Sequence, residues 1–271
     1  MNAPALGGAA VRPLAPLCAA APAQDSLDPR LRPAEGALAR GDFAQAIAIL
    51  KPLAARFAQA QVLLAQTLET APEPHGDPGA AAGWYLRAAQ GGLPEAQNNL
   101  GAMYFDGRGV PQDFAQALTW YRAAAVQGYA VAQYNLGILH GTGMGVPRDA
   151  AEMALWMRRA AQSGLAAAQA QLGRLYLDGE GVPADPAQAA KWFRASAEQG
   201  YAWGQHYLAS LYQKGHGVPR DLRIAHDWFL RAARGGNRTA MQSLARIYEL
   251  GLGVPADAAQ SALWKQRSEE N

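Results

Sequence analysis

The chain is poor in cysteine and in charge. Its single cysteine, Cys18, excludes an intramolecular disulfide and any multi-cysteine metal site. Charged side chains make up 17% of the residues, below the ~25% of an average soluble domain. The 24 basic and 22 acidic residues leave a formal charge of +2, no electrostatic footprint for a phosphate backbone, so nucleic acid is not an expected partner. Apolar residues are half of the chain, yet no uninterrupted run approaches the ~18–20 that a membrane-spanning helix needs, and an integral membrane protein is not expected. There is no Ser-x-x-Lys, His-Glu-x-x-His, Gly-x-Ser-x-Gly or Walker-type Gly-x-x-x-x-Gly-Lys, so no enzyme signature, cofactor or metal is read from the sequence.

What the chain has in abundance is seven Trp, 29 Gly and 17 Pro in 271 residues, and their positions are regular. Six tryptophans, Trp84, Trp120, Trp156, Trp192, Trp228 and Trp264, are separated by a constant step of 36. Asp77, Asp113, Asp149, Asp185, Asp221 and Asp257 keep the same step, as do Leu64, Leu100, Leu136, Leu172, Leu208 and Leu244. Gly107 and Gly109 recur as Gly143/Gly145, Gly179/Gly181, Gly215/Gly217 and Gly251/Gly253, each pair followed by Val-Pro.

Within one period, Ala96, Leu100, Met103 and Tyr104 form the apolar stripe of a first helix, A. Gly107 to Asp113 breaks it, since glycine accepts positive φ and proline cannot continue a helix. Asp113 is placed to cap a second helix, B, whose stripe is Ala117, Trp120, Tyr121 and Ala124, and Gly128 closes the period. Such a hairpin cannot bury its own apolar face. Stacking against the next does so, which predicts an all-α, right-handed α-solenoid of stacked helix hairpins. Gly101, Gly137 and Gly173 on helix A are expected to admit Trp and Tyr side chains, making the tryptophans a packing ladder rather than a row of ligand cages.

The pattern Ala96-Gln97-x-x-Leu100-Gly101-x-x-Tyr104-x-x-Gly107-x-Gly109-Val110-x-x-Asp113, continued by Ala117, Trp120, Ala124 and Gly128, resembles the Sel1-like repeat, a relative of the tetratricopeptide repeat. Residues 58–271 read as six such units. The first departs from the pattern, with Leu68 in place of the tyrosine and Ala71 and Glu73 in place of the glycines. Residues 32–57, with Gly41-Asp42 ahead of Phe43, Ala44, Ala46, Ile47 and Leu50, resemble a tetratricopeptide hairpin capping the array. Residues 1–31 are expected to be a flexible Ala/Pro-rich segment. Ala21-Pro22-Ala23 imitates a signal-peptidase site, but the basic n-region is missing and Arg12 with three prolines interrupts the apolar stretch, which favours a cytoplasmic over a periplasmic location.

The resemblance implies a non-catalytic adaptor, a monomer that binds a segment of another protein in the concave groove lined by helix A residues off the packing stripe. Carried over position by position, that surface comprises Asn98, Ala102 and Phe105, then Tyr134 and Ile138, Arg174 and Asp178, Trp203, His206, Ser210 and Lys214, and Arg246. Phe105, Tyr134 and Trp203 would be apolar anchors, and Arg174 and Arg246 partners for acidic groups. Trp203 is the one tryptophan off the 36-residue step, and it either contacts a partner or packs against Tyr201 and Tyr207. Two alternatives stand beside the adaptor. Some cysteine-rich Sel1-like proteins are associated with β-lactam binding or hydrolysis, but the repeats here hold no cysteine; a structural or immunity-like protein would bind through another face. His140 takes the place of the tyrosine of neighbouring units and reads as a packing residue, and His206, His216 and His226 are too widely spaced for a zinc motif.

Overall fold

The structure is a computed structural model that describes residues 28–270. Cys18, Ala21-Pro22-Ala23 and the rest of the N-terminal segment before residue 28 lie outside the described residues. Among the described residues there are fourteen α-helices and no strand, and the chain divides after Arg148 into two compact units. The first holds α1 (Arg32–Ala39), α2 (Phe43–Ala54), α3 (Ala58–Thr70), α4 (Pro78–Gln90), α5 (Pro94–Asp106), α6 (Phe114–Ala125) and α7 (Ala130–Thr142). The second holds α8 (Ala150–Gln162), α9 (Ala166–Asp178), α10 (Pro186–Glu198), α11 (Ala202–Lys214), α12 (Leu222–Arg234), α13 (Arg238–Leu250) and α14 (Ala258–Glu270). Within each unit every helix packs against the next in sequence, the stacked-hairpin arrangement of an all-α solenoid. None of the described helices is long and apolar enough to cross a membrane.

The periodic aspartates are the N-caps. Asp113 Oδ1 accepts from the backbone N–H of Ala115 at 2.9 Å and of Gln116 at 3.0 Å; Asp149, Asp185 and Asp221 repeat both bonds, and Asp77 and Asp257 accept from the third residue on, Ala80 and Gln260. Each such cap stabilises its helix by ~1 kcal/mol. The two glycines of a turn do different work. Gly107, at φ 71°, ends α5 in the left-handed conformation. Gly109 meets the preceding hairpin: a Cβ there would lie 2.1 Å from the carbonyl oxygen of Pro78, the first residue of α4.

Beside the buried leucines at the 36-residue step runs a second deeply buried ladder, the residue after each of the first five tryptophans. Tyr85, Tyr121, Met157, Phe193 and Phe229 are at most 1% exposed, whereas Trp84, Trp120, Trp192 and Trp228 are only partly buried and Trp156 and Trp264 retain 7% and 4%. Gly101 and Gly173 face this inner ladder: the expected tyrosine contact is found at Tyr121, while the expected tryptophan is not among the nearest neighbours of either glycine. A Cβ on Gly101 would stand 2.8 Å from the Tyr121 ring, and one on Gly173 would stand 2.7 Å from Phe193. Tryptophan has more area than the gap between two close helices admits, so it lies along the rim. Four of the six carry the guanidinium of an arginine three residues on over the indole: Arg87 on Trp84 at 5.6 Å, Arg159 on Trp156 at 4.5 Å, Arg231 on Trp228 at 4.6 Å and Arg267 on Trp264 at 5.0 Å.

Polar side chains tie neighbouring hairpins together. Gln97, Gln133, Gln169 and Gln205 donate to the carbonyls of Ala89, Ala125, Ala161 and Ala197, at the C-terminal turn of the preceding helix B. Arg158 donates to the hydroxyl of Tyr176 at 3.1 Å and Arg194 to that of Tyr212 at 2.9 Å; His226 Nε2 lies 3.0 Å from the hydroxyl of Tyr248. In the first unit Tyr85 donates to Glu69 at 3.0 Å, and Glu69 also pairs with Arg108. One step along, Phe105 occupies the position of Glu69, and the Tyr121 hydroxyl is buried with no hydrogen-bond partner among the described residues.

Two comparisons check this account. Phe193→Ala is expected to lower stability by about 3–5 kcal/mol in urea unfolding, with Trp192→Ala costing less than half as much. Tyr85→Phe should cost ~1–2 kcal/mol by breaking a buried charge-assisted bond, whereas Tyr121→Phe, which removes an unpaired hydroxyl, should leave the unfolding midpoint unchanged or raise it.

Candidate functional site

In the first unit, four of the five expected surface residues are buried. Asn98, Ala102, Tyr134 and Ile138 are 2%, 4%, 6% and 3% exposed. The reason for Asn98 is the close stacking of successive A helices: its Oδ1 accepts from Asn135 Nδ2 at 3.0 Å while its own Nδ2 donates to Asn99 at 3.2 Å. Its amide is therefore committed to the fold. Phe105 stays partly exposed and meets Phe114 edge-to-face at 5.3 Å. His140 is 5% exposed, more buried than expected, and neither ring nitrogen has a partner among the described residues.

The second unit brings its expected residues together. Asp178, Trp203, Lys214 and Arg246 are exposed, and Arg174, His206 and Ser210 are partly so. Trp203 is 45% exposed, unlike the ladder tryptophans. Its ring lies 5.9 Å from His206 and 6.0 Å from Tyr207. The contact with Tyr207 was expected; His206 stands where Tyr201 was expected as the second neighbour. Tyr207 is stacked on the buried Phe193 at 4.9 Å, and His206 leans on Phe229 at 5.6 Å, so the exposed indole sits on a platform anchored in the inner ladder. Tyr207 was legible from the sequence as a neighbour of Trp203, whereas Phe193, on α10, was not among the residues singled out.

Charges from two helices converge on this platform. Burial raises the Tyr207 hydroxyl above its ordinary pKa; the positive charge of Arg174 on α9 opposes the rise and Asp178 adds to it. His206 is pushed down to about 4, first by burial and then by the charge of Lys214. At neutral pH the imidazole is therefore uncharged. Arg174, Asp178, Trp203, His206, Tyr207 and Lys214 thus share one neighbourhood on the helix A face of α9 and α11. Nothing there resembles an acid–base pair with a nucleophile, and among the described residues no three His, Cys, Asp or Glu side chains converge to hold a metal ion. An exposed indole packed on a tyrosine that feels a guanidinium charge is equipped for binding: apolar contact on the ring face, and hydrogen bonds from the guanidinium to carboxylate or carbonyl groups.

Stacked helix hairpins with capped turns define an α-solenoid repeat protein. The Sel1 repeat matches residues 58–93, 94–129, 130–165, 166–201, 204–237 and 239–268, and the chain belongs to the Sel1 repeat family. A Sel1 repeat protein from Oxalobacter formigenes is 33% identical over 89% of this chain and 97% of its own, with a TM-score of 0.79. The protective antigen c5321 of uropathogenic Escherichia coli, which displays the same fold, is 37% identical over 83% of this chain and 48% of its own, with a TM-score of 0.77. Immunity protein PA5088 from Pseudomonas aeruginosa, 22% identical over 79% of this chain and 80% of its own at a TM-score of 0.53, shares the fold. No curated protein matches the chain.

The position of His206 makes a prediction about acid stability. Its folded pKa of about 4 lies below the ordinary 6.5, so between those values the unfolded chain binds the extra proton and stability falls as pH falls. At pH 5 the loss from this group is about 2 kcal/mol. His206→Phe is expected to shrink the drop in melting temperature between pH 7.5 and pH 5; an unchanged drop would show that the imidazole is not desolvated.

Proposed function

We propose that the protein is a non-catalytic adaptor that holds a segment of a partner protein on the helix A face of its second unit. Sel1 repeat proteins generally mediate protein–protein interaction and are typically non-catalytic. The observation that carries the finer reading is Trp203. A large aromatic ring left 45% exposed, outside the repeat's own ladder and backed by a rigid aromatic platform, is the kind of residue on which interface energy concentrates. Arg174, whose charge acts on Tyr207, supplies a directional donor for an acidic or carbonyl group of the bound segment, and Tyr207 packs against the indole. In this reading the α1/α2 hairpin at residues 32–57 caps the stack by covering the apolar face of α3.

Replacing both Trp203 and Arg174 by alanine is expected to abolish recovery of the native partner in affinity purification while lowering the melting temperature by no more than a few degrees. Undiminished recovery, or loss that merely follows unfolding, would remove this face from consideration.

A further inference from the structure

Two adjoining clefts open beside α13 in the second unit. The first, of about 430 Å³, is lined by Gln242, Arg246, Glu249, Leu250, Ser261 and Lys265. The second, of about 510 Å³, shares Arg246 and Leu250 with it and adds Arg220, Leu222 and Leu252. Lys265 is exposed at the position that the 36-residue step assigns to Tyr85, Tyr121, Met157, Phe193 and Phe229 in the earlier helices. Ser261 likewise stands where α4, α6, α10 and α12 have the buried Ala81, Ala117, Ala189 and Ala225. At these two positions of its packing face α14 therefore presents a hydroxyl and a cation, while Trp264 stays in the core.

The lining is unbalanced in charge: Arg220, Arg246 and Lys265 against Glu249 alone. Arg220 is steadied by a bond from its Nε to the carbonyl of Gln213 at 3.2 Å. Arg246 and Lys265 enter no ion pair or side-chain hydrogen bond among the described residues. Between them Leu250 is 55% exposed, an aliphatic surface where the two clefts meet. Uncommitted cations around a bare leucine complement a chain that carries carboxylates on either side of an aliphatic side chain.

We propose that these clefts dock an acidic segment of a partner protein, its carboxylates on Arg246, Lys265 and Arg220 and an aliphatic side chain against Leu250. The proposal rests on the adaptor reading only in taking a protein segment as the occupant, and its contact residues are distinct from Trp203 and Arg174. The test uses the full chain and a fluorescein-labelled peptide of repeating Glu-Glu-Leu, followed by fluorescence anisotropy, with a Gln-Gln-Leu peptide as control. The acidic peptide is expected to bind at least tenfold more tightly than the control, and to weaken at least tenfold in the Arg246→Ala/Lys265→Ala variant. It should weaken also when salt rises from about 50 mM to about 300 mM, and bind unchanged in Trp203→Ala. Both replaced side chains are exposed; thermal melts verify the fold, and Lys265→Gln alone should weaken binding in the same direction. Failure to bind, equal affinity for the control peptide, insensitivity to the double variant, or displacement by inorganic phosphate at millimolar concentration would each overturn the assignment. Binding lost in Trp203→Ala but kept in the double variant would also overturn it, while leaving the adaptor reading intact.

Discussion

The closeness with which one turn approaches the hairpin before it governs the rest of the architecture. At Gly109 the backbone reaches the first residue of α4 so nearly that a methyl group would overlap a carbonyl oxygen. That approach needs the first turn of the earlier helix to be orderly, which Asp77 secures by taking up a free N–H. It also needs the glycine's positive φ, which costs a residue with a side chain more than it costs glycine. Once turn and helix start are in register, Gln97 comes within reach of the carbonyl of Ala89, and Gly101 lies over the ring of Tyr121. Cap, turn, polar tie and core contact are thus consequences of one spacing.

Much of this was legible in the residues because each device demands a particular side chain. Only a short acceptor caps a helix and only glycine takes the turn, so a period in Asp and Gly translates directly into structure. The core was harder to read. Tryptophan is the same in every unit, and that constancy drew attention to the rim, while the buried ladder one residue later varies among Tyr, Met and Phe. A filled gap constrains volume more than identity, so this ladder leaves a fainter trace than the equally buried leucines from Leu64 to Leu244, which keep one residue type. The glutamine ties keep the 36-residue step from Gln97 to Gln205 and give way only at Met241, yet a search for apolar stripes passes over them.

The candidate surface divides along similar lines. Trp203 stood out because it broke the period, and its exposure follows from the absence of any repeat position to receive it. The burial of Asn98, Tyr134 and Ile138 could not be read from helical phase, which places a residue on a face without saying how near the next helix lies. Asn98 and Asn135 illustrate the point: 37 residues apart in sequence, their amides meet only because successive A helices stack closely.

The ties between hairpins also bear on how such a chain can change length. The glutamine bonds span 8 residues and the arginine–tyrosine bonds 18, always from one hairpin to its immediate neighbour. Duplicating or deleting a 36-residue segment between Gln97 and Gln205 would return each of these glutamines to an alanine carbonyl of the same kind. Growth by copying therefore asks for no new solution to the packing problem, and surface residues such as Trp203 or Lys265 are free to diverge after each copy is made.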